Sequence, residues 1–592
     1  MKIIFSFAGR RTIALLLSAS FILSFFDLIG IAIILPYLQL LSSATSTSLE
    51  KLNSILALLE IPKPDHPTII LWASIVLAVF FVIKYLLVLV INLYQLRTFA
   101  DNTYYLTDKF FKMLMRSEYS LFQKSAGSEM IGITHTATQH ATFCFQSVII
   151  LANEMMFLLL LTGALMAINP MATTIAMITI GSIGVATYFF AVKRVARYGV
   201  LQQKLDVDRQ KLAFAIASSI KDIKIMGLEK LFSAKNAELA DVYRNITWRY
   251  QLLSLFPRIT IEHMFVLIFI IGTTAAILLG MPIELLLPVL GMIGLIAMRV
   301  IPGLSKIIMA YNSYRYSLIS LNRLLALHDD LQAHIHEEAD LNLPFRNELA
   351  IEHVGFSYGD HVVLSDMSIT LHKGQSVGIV GLSGSGKSTF LDVFTGLQKA
   401  STGRFMLDGI SIDPYGTNVL KKKLGYVPQQ IALLDESIAF NITFEHEYDV
   451  EHFQKVLGIA NLQEFVSGLP EGSETRVGEG GVRLSGGQRQ RIGIARALYR
   501  DPEILVFDEA TSALDNITER ELSREILRLA GEQTIIQVAH RLSTIEHCDV
   551  IHVLDKGALV ASGTHDYLRG NCSLYATMCH DQSAVKQSTP ET

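Results

Sequence analysis

The sequence predicts two folds in one chain: an α-helical membrane domain of six spans, then an α/β domain built around a phosphate-binding loop. Three observations predict this. Six apolar stretches, each long enough to cross a bilayer, fill residues 1–328. From residue 349 short β-branched runs alternate with helical patterns, as in an α/β sheet protein. Within that second half, the run Gly381-Leu-Ser-Gly-Ser-Gly386-Lys387-Ser388 lies between a strand-like apolar run and a helical one.

Bulk composition agrees. A chain of 592 residues is too long for one ordinary domain. It is 51% hydrophobic and only 18% charged, where soluble proteins carry about 25% charged residues, so part of it belongs in lipid. A net charge of -4 provides no basic field for nucleic acid. The cysteines Cys144, Cys548, Cys572 and Cys579 are scattered, which predicts reduced thiols rather than a disulfide framework. Cys572, Cys579 and His580 lack a fourth ligand at finger spacing and are read as chance neighbours.

A hydrocarbon core of ~30 Å needs about 20 residues at ~1.5 Å each. Residues 12–41, 67–94, 143–168, 171–192, 259–280 and 282–301 meet this. The first stretch has no small-residue cleavage site and opens a series, so it is read as a retained span, not a signal peptide. Spans three and four are separated by Asn169-Pro170, and five and six by almost nothing, which makes both pairs tight hairpins. The long connections carry the positive charge: Arg97, Lys109, Lys112, Arg116 and Lys124 in one, Lys193, Arg194, Arg197, Lys204, Arg209, Lys211, Lys221 and Lys224 in the other. Positive loops stay inside. The prediction is a multi-pass protein of a bacterial inner (cytoplasmic) membrane with both termini cytoplasmic. Leu212, Ile216, Ile220 and Ile223 recur at helical spacing, so the spans should continue as helices below the membrane. Residues 329–348, acidic and ending near Pro344, read as a linker, 349–580 as the α/β domain, and 581–592 as a disordered tail.

The phosphate loop has a physical logic. Gly381, Gly384 and Gly386, with Ser383 and Ser385, let backbone N–H groups curl around phosphate oxygens. Thr389–Leu397 reads as the following helix, and its N-terminus adds positive potential. Lys387 would reach the β- and γ-phosphates of ATP, and Ser388 would ligate Mg²⁺. The run Ile504-Leu-Val-Phe507 ends in Asp508-Glu509, two carboxylates at a strand tip. Asp508 would hold Mg²⁺, and Glu509 would be the general base for the attacking water.

Between these motifs stands Leu484-Ser485-Gly486-Gly487-Gln488. Here the sequence resembles the ATP-binding-cassette (ABC) transporters, and the resemblance covers 349 to about 579. It implies a type IV exporter-like membrane domain on a P-loop cassette, a chain that hydrolyses ATP and couples this to translocation. It gives roles to further residues: Tyr358 stacking on adenine, Gln429 sensing Mg²⁺, Asp515 in the loop joining two sites, and His540 on the γ-phosphate. Thr475-Arg-Val-Gly-Glu479 resembles an exporter-specific segment. The resemblance also implies a dimer, because Ser485, Gly486, Gly487 and Gln488 of one subunit would bind ATP held by the other. One cassette per chain points to a homodimer with two equal sites. Force would cross to the membrane domain through short helices near 111–122 and 216–228.

Cargo is less legible. Asp27, Lys84, Glu154, Glu262 and Arg299 are ionisable residues inside spans, where charge is costly. Lys84 and Arg299 each fall ~25 Å below the outer ends of their spans. They would either bind an anionic headgroup, such as a lipid-linked pyrophosphate, or pair with Glu154 and Glu262. Residues 48–60 form an amphipathic helix outside the membrane, and Pro302 follows Arg299 where span six should loosen. These features, with Ser219–Lys224, resemble the bacterial flippases of lipid-linked oligosaccharides. An exporter of peptide, polysaccharide or hydrophobic small molecules, and an ATP-gated channel or regulator, are the alternatives.

Overall fold

The computed structural model describes residues 9–42, 65–124, 127–168, 193–280, 283–509, 531–539 and 542–587, with scattered positions between 169 and 192. Residues 48–60, most of the fourth apolar stretch, Asp515 and His540 lie outside the described residues. The chain divides into two units: Met1–Met115 with Ser125–Ala333, and Arg116–Lys124 with His334–Thr592.

Among the described residues the regular elements of the first unit are all helices. Arg10–Ser42, His66–Met115, Gly127–Ile168, Lys193–Ser218, Glu229–Leu278 and Ile283–Ala333 are its long elements. Among the described residues, four helices are apolar and long enough to cross a membrane. Two of these run 50 residues, ~75 Å at helical rise, well beyond a ~30 Å core. The most apolar windows are also little buried. Trp72, Val76, Val82 and Val90 on the His66–Met115 helix are each about 60% exposed. A continuous apolar outer surface of this size requires lipid as its solvent. Buried polarity is the other half of the pattern. Ser20, Ser24, Thr134, Thr138, Thr142 and Ser147 are interior. Thr103 donates to Thr142 (2.9 Å), and the Thr107 and Thr138 hydroxyls lie 3.1 Å apart, lacing two helices together. The Ile283–Ala333 helix passes through Pro302 without interruption, so the expected loosening there leaves the helix continuous. It also takes in residues 329–333, which the sequence reading gave to the linker.

The second unit holds two sheets. One is four-stranded and antiparallel, in the order β2 (His361–His372), β1 (Glu348–Tyr358), β4 (Thr402–Leu407), β5 (Ile410–Ile412). The other has the order β10 (Ala558–Gly563), β9 (Val550–Asp555), β3 (Ser376–Gly381), β8 (Thr534–Val538), β7 (Ile504–Asp508), β6 (Leu424–Val427). All its pairings are parallel except β10 with β9. β3 and β8 are buried on both faces, which is why they read as unbroken apolar runs. Phe390 and Phe394, on the helix after β3, fill the core between the sheets with Ile351, Ile369 and Val506.

Two expectations need adjusting. The Ser573–Gln587 helix occupies the first part of the tail read as disordered, because Leu574 and Met578 pack on buried Leu568 and Tyr575. The short helices expected near 111–122 and 216–228 are Tyr119–Lys124 and Ile220–Ile225, and the first clusters with the second unit.

Candidate functional site: a nucleotide cradle and a membrane charge cluster

The cradle forms at the carboxyl edge of the parallel strands, where open α/β sheets bind ligands. Gly381 closes β3; a Cβ there would sit 2.3 Å from the Leu554 carbonyl oxygen. Gly386 caps the Lys387–Phe394 helix at φ 97°, and a Cβ there would meet Leu364 at 2.8 Å. At Gly381 and Gly386 no side chain fits, so the loop keeps bare backbone there, which suits phosphate binding by N–H groups. Ser383, Gly384 and Ser388 are exposed at its mouth, whereas Ser385 is buried and its hydroxyl has no hydrogen-bond partner among the described residues.

Lys387 is buried and folds back, donating from Nζ to the carbonyls of Gly381 (2.8 Å) and Leu382 (3.1 Å). Burial pulls its ammonium below the ordinary range, against the raising pull of Glu509 and Asp508. A buried cation that donates to carbonyl dipoles suits a polyanion.

Asp508 ends β7 and accepts a hydrogen bond from the Tyr426 hydroxyl at 3.1 Å. Burial and Asp508 push that hydroxyl's pKa far up, so it remains a donor. Glu509 follows in a left-handed conformation (φ 51°), which a non-glycine residue adopts at some cost. Gln429 donates from Nε2 to Glu509 at 2.6 Å. The amide nitrogen cannot ligate a cation, so the metal role foreseen for Gln429 falls to its Oε1. Ser388 and Asp508, at one helix start and one strand end, supply the oxygen chemistry that Mg²⁺ prefers, so the residues fit the ion. Asp392, on the loop's own helix, went unremarked in the sequence; burial, with Asp508 nearby, pushes its carboxyl up to about 6.

Ser485 is the N-cap of the Gly486–Leu498 helix. Its hydroxyl accepts from Gln488 N (3.2 Å), while Ser485 N donates to Gln488 Oε1 (2.8 Å). This capping box explains why the pentapeptide has serine second and glutamine last. It presents Gly486, Gly487 and a helix N-terminus. Tyr358, at the end of β1, is 44% exposed and stands edge-on to Phe356 at 4.8 Å. Burial pushes its hydroxyl above the ordinary range.

In the helical unit, Lys84 pairs with Asp27 at 2.7 Å. Arg299 bridges Asp27 and Glu154, both at 2.8 Å, and lies 4.2 Å over the Phe157 ring. Lys306, which the sequence reading passed over, reaches Glu154 at 3.4 Å. Gly303 makes this possible: a Cβ there would lie 2.9 Å from Glu154 Oε2. Glu262 instead pairs with Arg258 on its own helix (2.8 Å), which corrects its expected pairing with Lys84 or Arg299. The ion-pair reading therefore describes Glu154 but not Glu262.

Comparison with known proteins follows the same lines. Residues 364–512 match the family described as ABC transporter. The chain is 39% identical over 245 residues to an ATP-dependent lipid A-core flippase of Cupriavidus metallidurans, covering 40% of this chain and 41% of that one. The protein of the same name from Pseudoalteromonas translucida is 42% identical over 241 residues, 40% of this chain and 41% of that one. The heterocyst differentiation ATP-binding protein HepA of Nostoc is 40% identical over 233 residues, 38% of each. The chain thus spans about two fifths of the length of the curated relatives it matches. A solved bacterial Atm1-family ABC exporter with ATP bound shares the fold: TM-score 0.76, 24% identity, 99% of this chain and all of that one. The chain thus has the fold of that exporter, one helical unit and one α/β unit, and residues 364–512 of the α/β unit carry the ABC transporter match.

Proposed function

We propose that the protein hydrolyses ATP as a homodimer and uses it to move an anionic, lipid-linked oligosaccharide or a related glycolipid from the inner to the outer leaflet. One observation carries the ATPase reading: the Gly381–Ser388 loop, Asp508 and Glu509 all end strands on one edge of one sheet. Lys387 and the loop N–H groups bind the phosphates. When bound, Mg²⁺ neutralises phosphate charge, and Ser388 with Asp508 would hold it. Glu509 takes a proton from the attacking water, with Gln429 orienting its carboxylate. Ser485 and the helix it caps complete the site on the second copy, so that ATP joins two cassettes and hydrolysis releases them.

The substrate reading rests on the charge cluster. Asp27 and Glu154 face Lys84, Arg299 and Lys306, so three cations meet two carboxylates and one positive charge is left over. Lys306 is the most exposed of them (59%) and is held at the longest distance. It falls ~36 Å from the outer end of the sixth apolar stretch, at the depth of inner-leaflet headgroups. An anionic headgroup entering there would exchange with Glu154 for Lys306 and Arg299. The names of the relatives, lipid A-core flippases, support a lipid cargo. Transport of a peptide or hydrophobic molecule is the second reading. It is favoured by the engagement of Arg299 and Lys84 with carboxylates.

The test is Arg299→Ala in proteoliposomes. The expected result is unchanged basal ATP hydrolysis with flipping of a polyprenyl-pyrophosphate glycan abolished. Normal flipping would sink the headgroup reading and leave the exporter reading standing.

A further inference from the structure

β6 is an edge strand of the larger sheet and lies beside β7, whose tip carries Asp508. Tyr426 pairs with Val506, so it shares a face of the sheet with Asp508, two residues further along. The strand is closely seated. A Cβ on Gly425 would lie 2.7 Å from the Ala497 carbonyl oxygen and 2.8 Å from the Pro502 ring. The Tyr426 side chain packs against the core that Phe390 and Val506 help to form. Sheet and core thus set the place of its ring.

From that place the hydroxyl donates to Asp508 Oδ2 at 3.1 Å. Just past the two strand ends, Gln429 donates to Glu509 at 2.6 Å. β6 and the residues after it therefore bring one neutral donor to each acid of the pair. The terminal torsion of an aspartate is soft. A fixed donor on one carboxylate oxygen holds that torsion, so the group meets a cation in a single orientation. Groups that hold a metal ligand in this way are worth about 10–100-fold in metal affinity or activity.

We infer that Tyr426 is a positioning residue for the metal-side acid: its hydroxyl fixes the Asp508 carboxylate for Mg²⁺, while its ring serves the core. This rests on the ATP-binding reading above. It divides the work of the cradle. The loop and Lys387 hold phosphate without help from Tyr426, whereas the gain in affinity that Mg²⁺ brings depends on it. Tyr426→Phe separates the two roles of the residue, because it keeps the ring and removes the donor.

Binding of the non-hydrolysable analogue AMP-PNP to the full-length protein in lipid nanodiscs, with EDTA or with Mg²⁺, tests this. Wild type should bind the analogue with EDTA and more tightly with Mg²⁺. Tyr426→Phe should match wild type with EDTA and lose roughly 10-fold of the Mg²⁺-dependent gain. Asp508→Asn should lose that gain too, and adding Tyr426→Phe to it should change nothing further. A gain as large in Tyr426→Phe as in wild type would overturn the inference. Equal weakening with EDTA and with Mg²⁺ would also overturn it, since that marks a structural role, as would a further loss in the double variant. If Mg²⁺ brought wild type no gain, the metal assignment of Asp508 would fall, and the inference with it. If wild type did not bind the analogue at all, the nucleotide reading itself would fail.

Discussion

Glu509 and Asp392 are two carboxylates with different tasks. Glu509 is held by Gln429 at the strand tip, so Glu509→Gln keeps size and hydrogen bonding while removing the base. Its hydrolysis rate should fall by roughly 10²–10⁴-fold with ATP binding retained, measured as phosphate release against nucleotide binding. Asp392 has no evident part in the chemistry, and its cost is electrostatic. Its folded value, about 6, lies above the unfolded ~3.9. Its stabilising contribution is therefore complete below ~3.9 and is lost as pH rises through about 6. Asp392→Asn should raise the melting temperature of the full-length protein at pH 8, with the difference from wild type shrinking towards pH 4. An equal shift at both pH values would contradict this. Residues such as Lys387 and Asp508 were readable because each sits inside a motif with its own spacing. Asp392 and Lys306 were not, because a lone polar residue on a helix acquires meaning only from what folding brings beside it.

The Gly486–Leu498 helix shows how one residue can serve element and site together. Ser485 caps it, and loss of such a cap costs about 1 kcal/mol. Ser485→Ala should therefore destabilise the cassette by about that amount and also lose ATP hydrolysis. Ser485→Asp separates the two roles. It restores the cap, and so the stability, but sets a negative charge where a phosphate would approach, so hydrolysis should stay absent. Thermal unfolding and phosphate release, measured on both variants, distinguish them. At this scale the sequence was most legible for strands. The buried runs of β3 and β7 announce themselves locally, whereas the cap formed by Ser485 and Gln488 came to light only in the structure. The long helices were legible in type and, through the helical spacing of their polar connections, as elements that run on beyond the apolar stretches; their exact ends were not legible, since apolar composition marks only the part suited to lipid. The Tyr119–Lys124 helix was foreseen as a short element, but its packing with the cassette rests on contacts with residues more than 200 positions away.

For the whole molecule, the division into a lipid-facing helical unit and an α/β cassette follows from two incompatible surface patterns in one chain. The α/β unit carries the phosphate loop together with the proposed metal-side acid and base. Its signature helix has its N-terminus dressed for an anion, which gives it purpose only if a second copy brings ATP to it. The account therefore stands on a site shared between copies. It is tested most directly by co-expressing Lys387→Ala and Ser485→Ala subunits with different tags, purifying the mixed dimer and measuring ATP hydrolysis. Each variant alone has no intact site. The mixed dimer regains one, Lys387 from one copy and Ser485 from the other, and should hydrolyse ATP well above either parent. A mixed dimer as silent as its parents would contradict the shared site and the translocation cycle built on it.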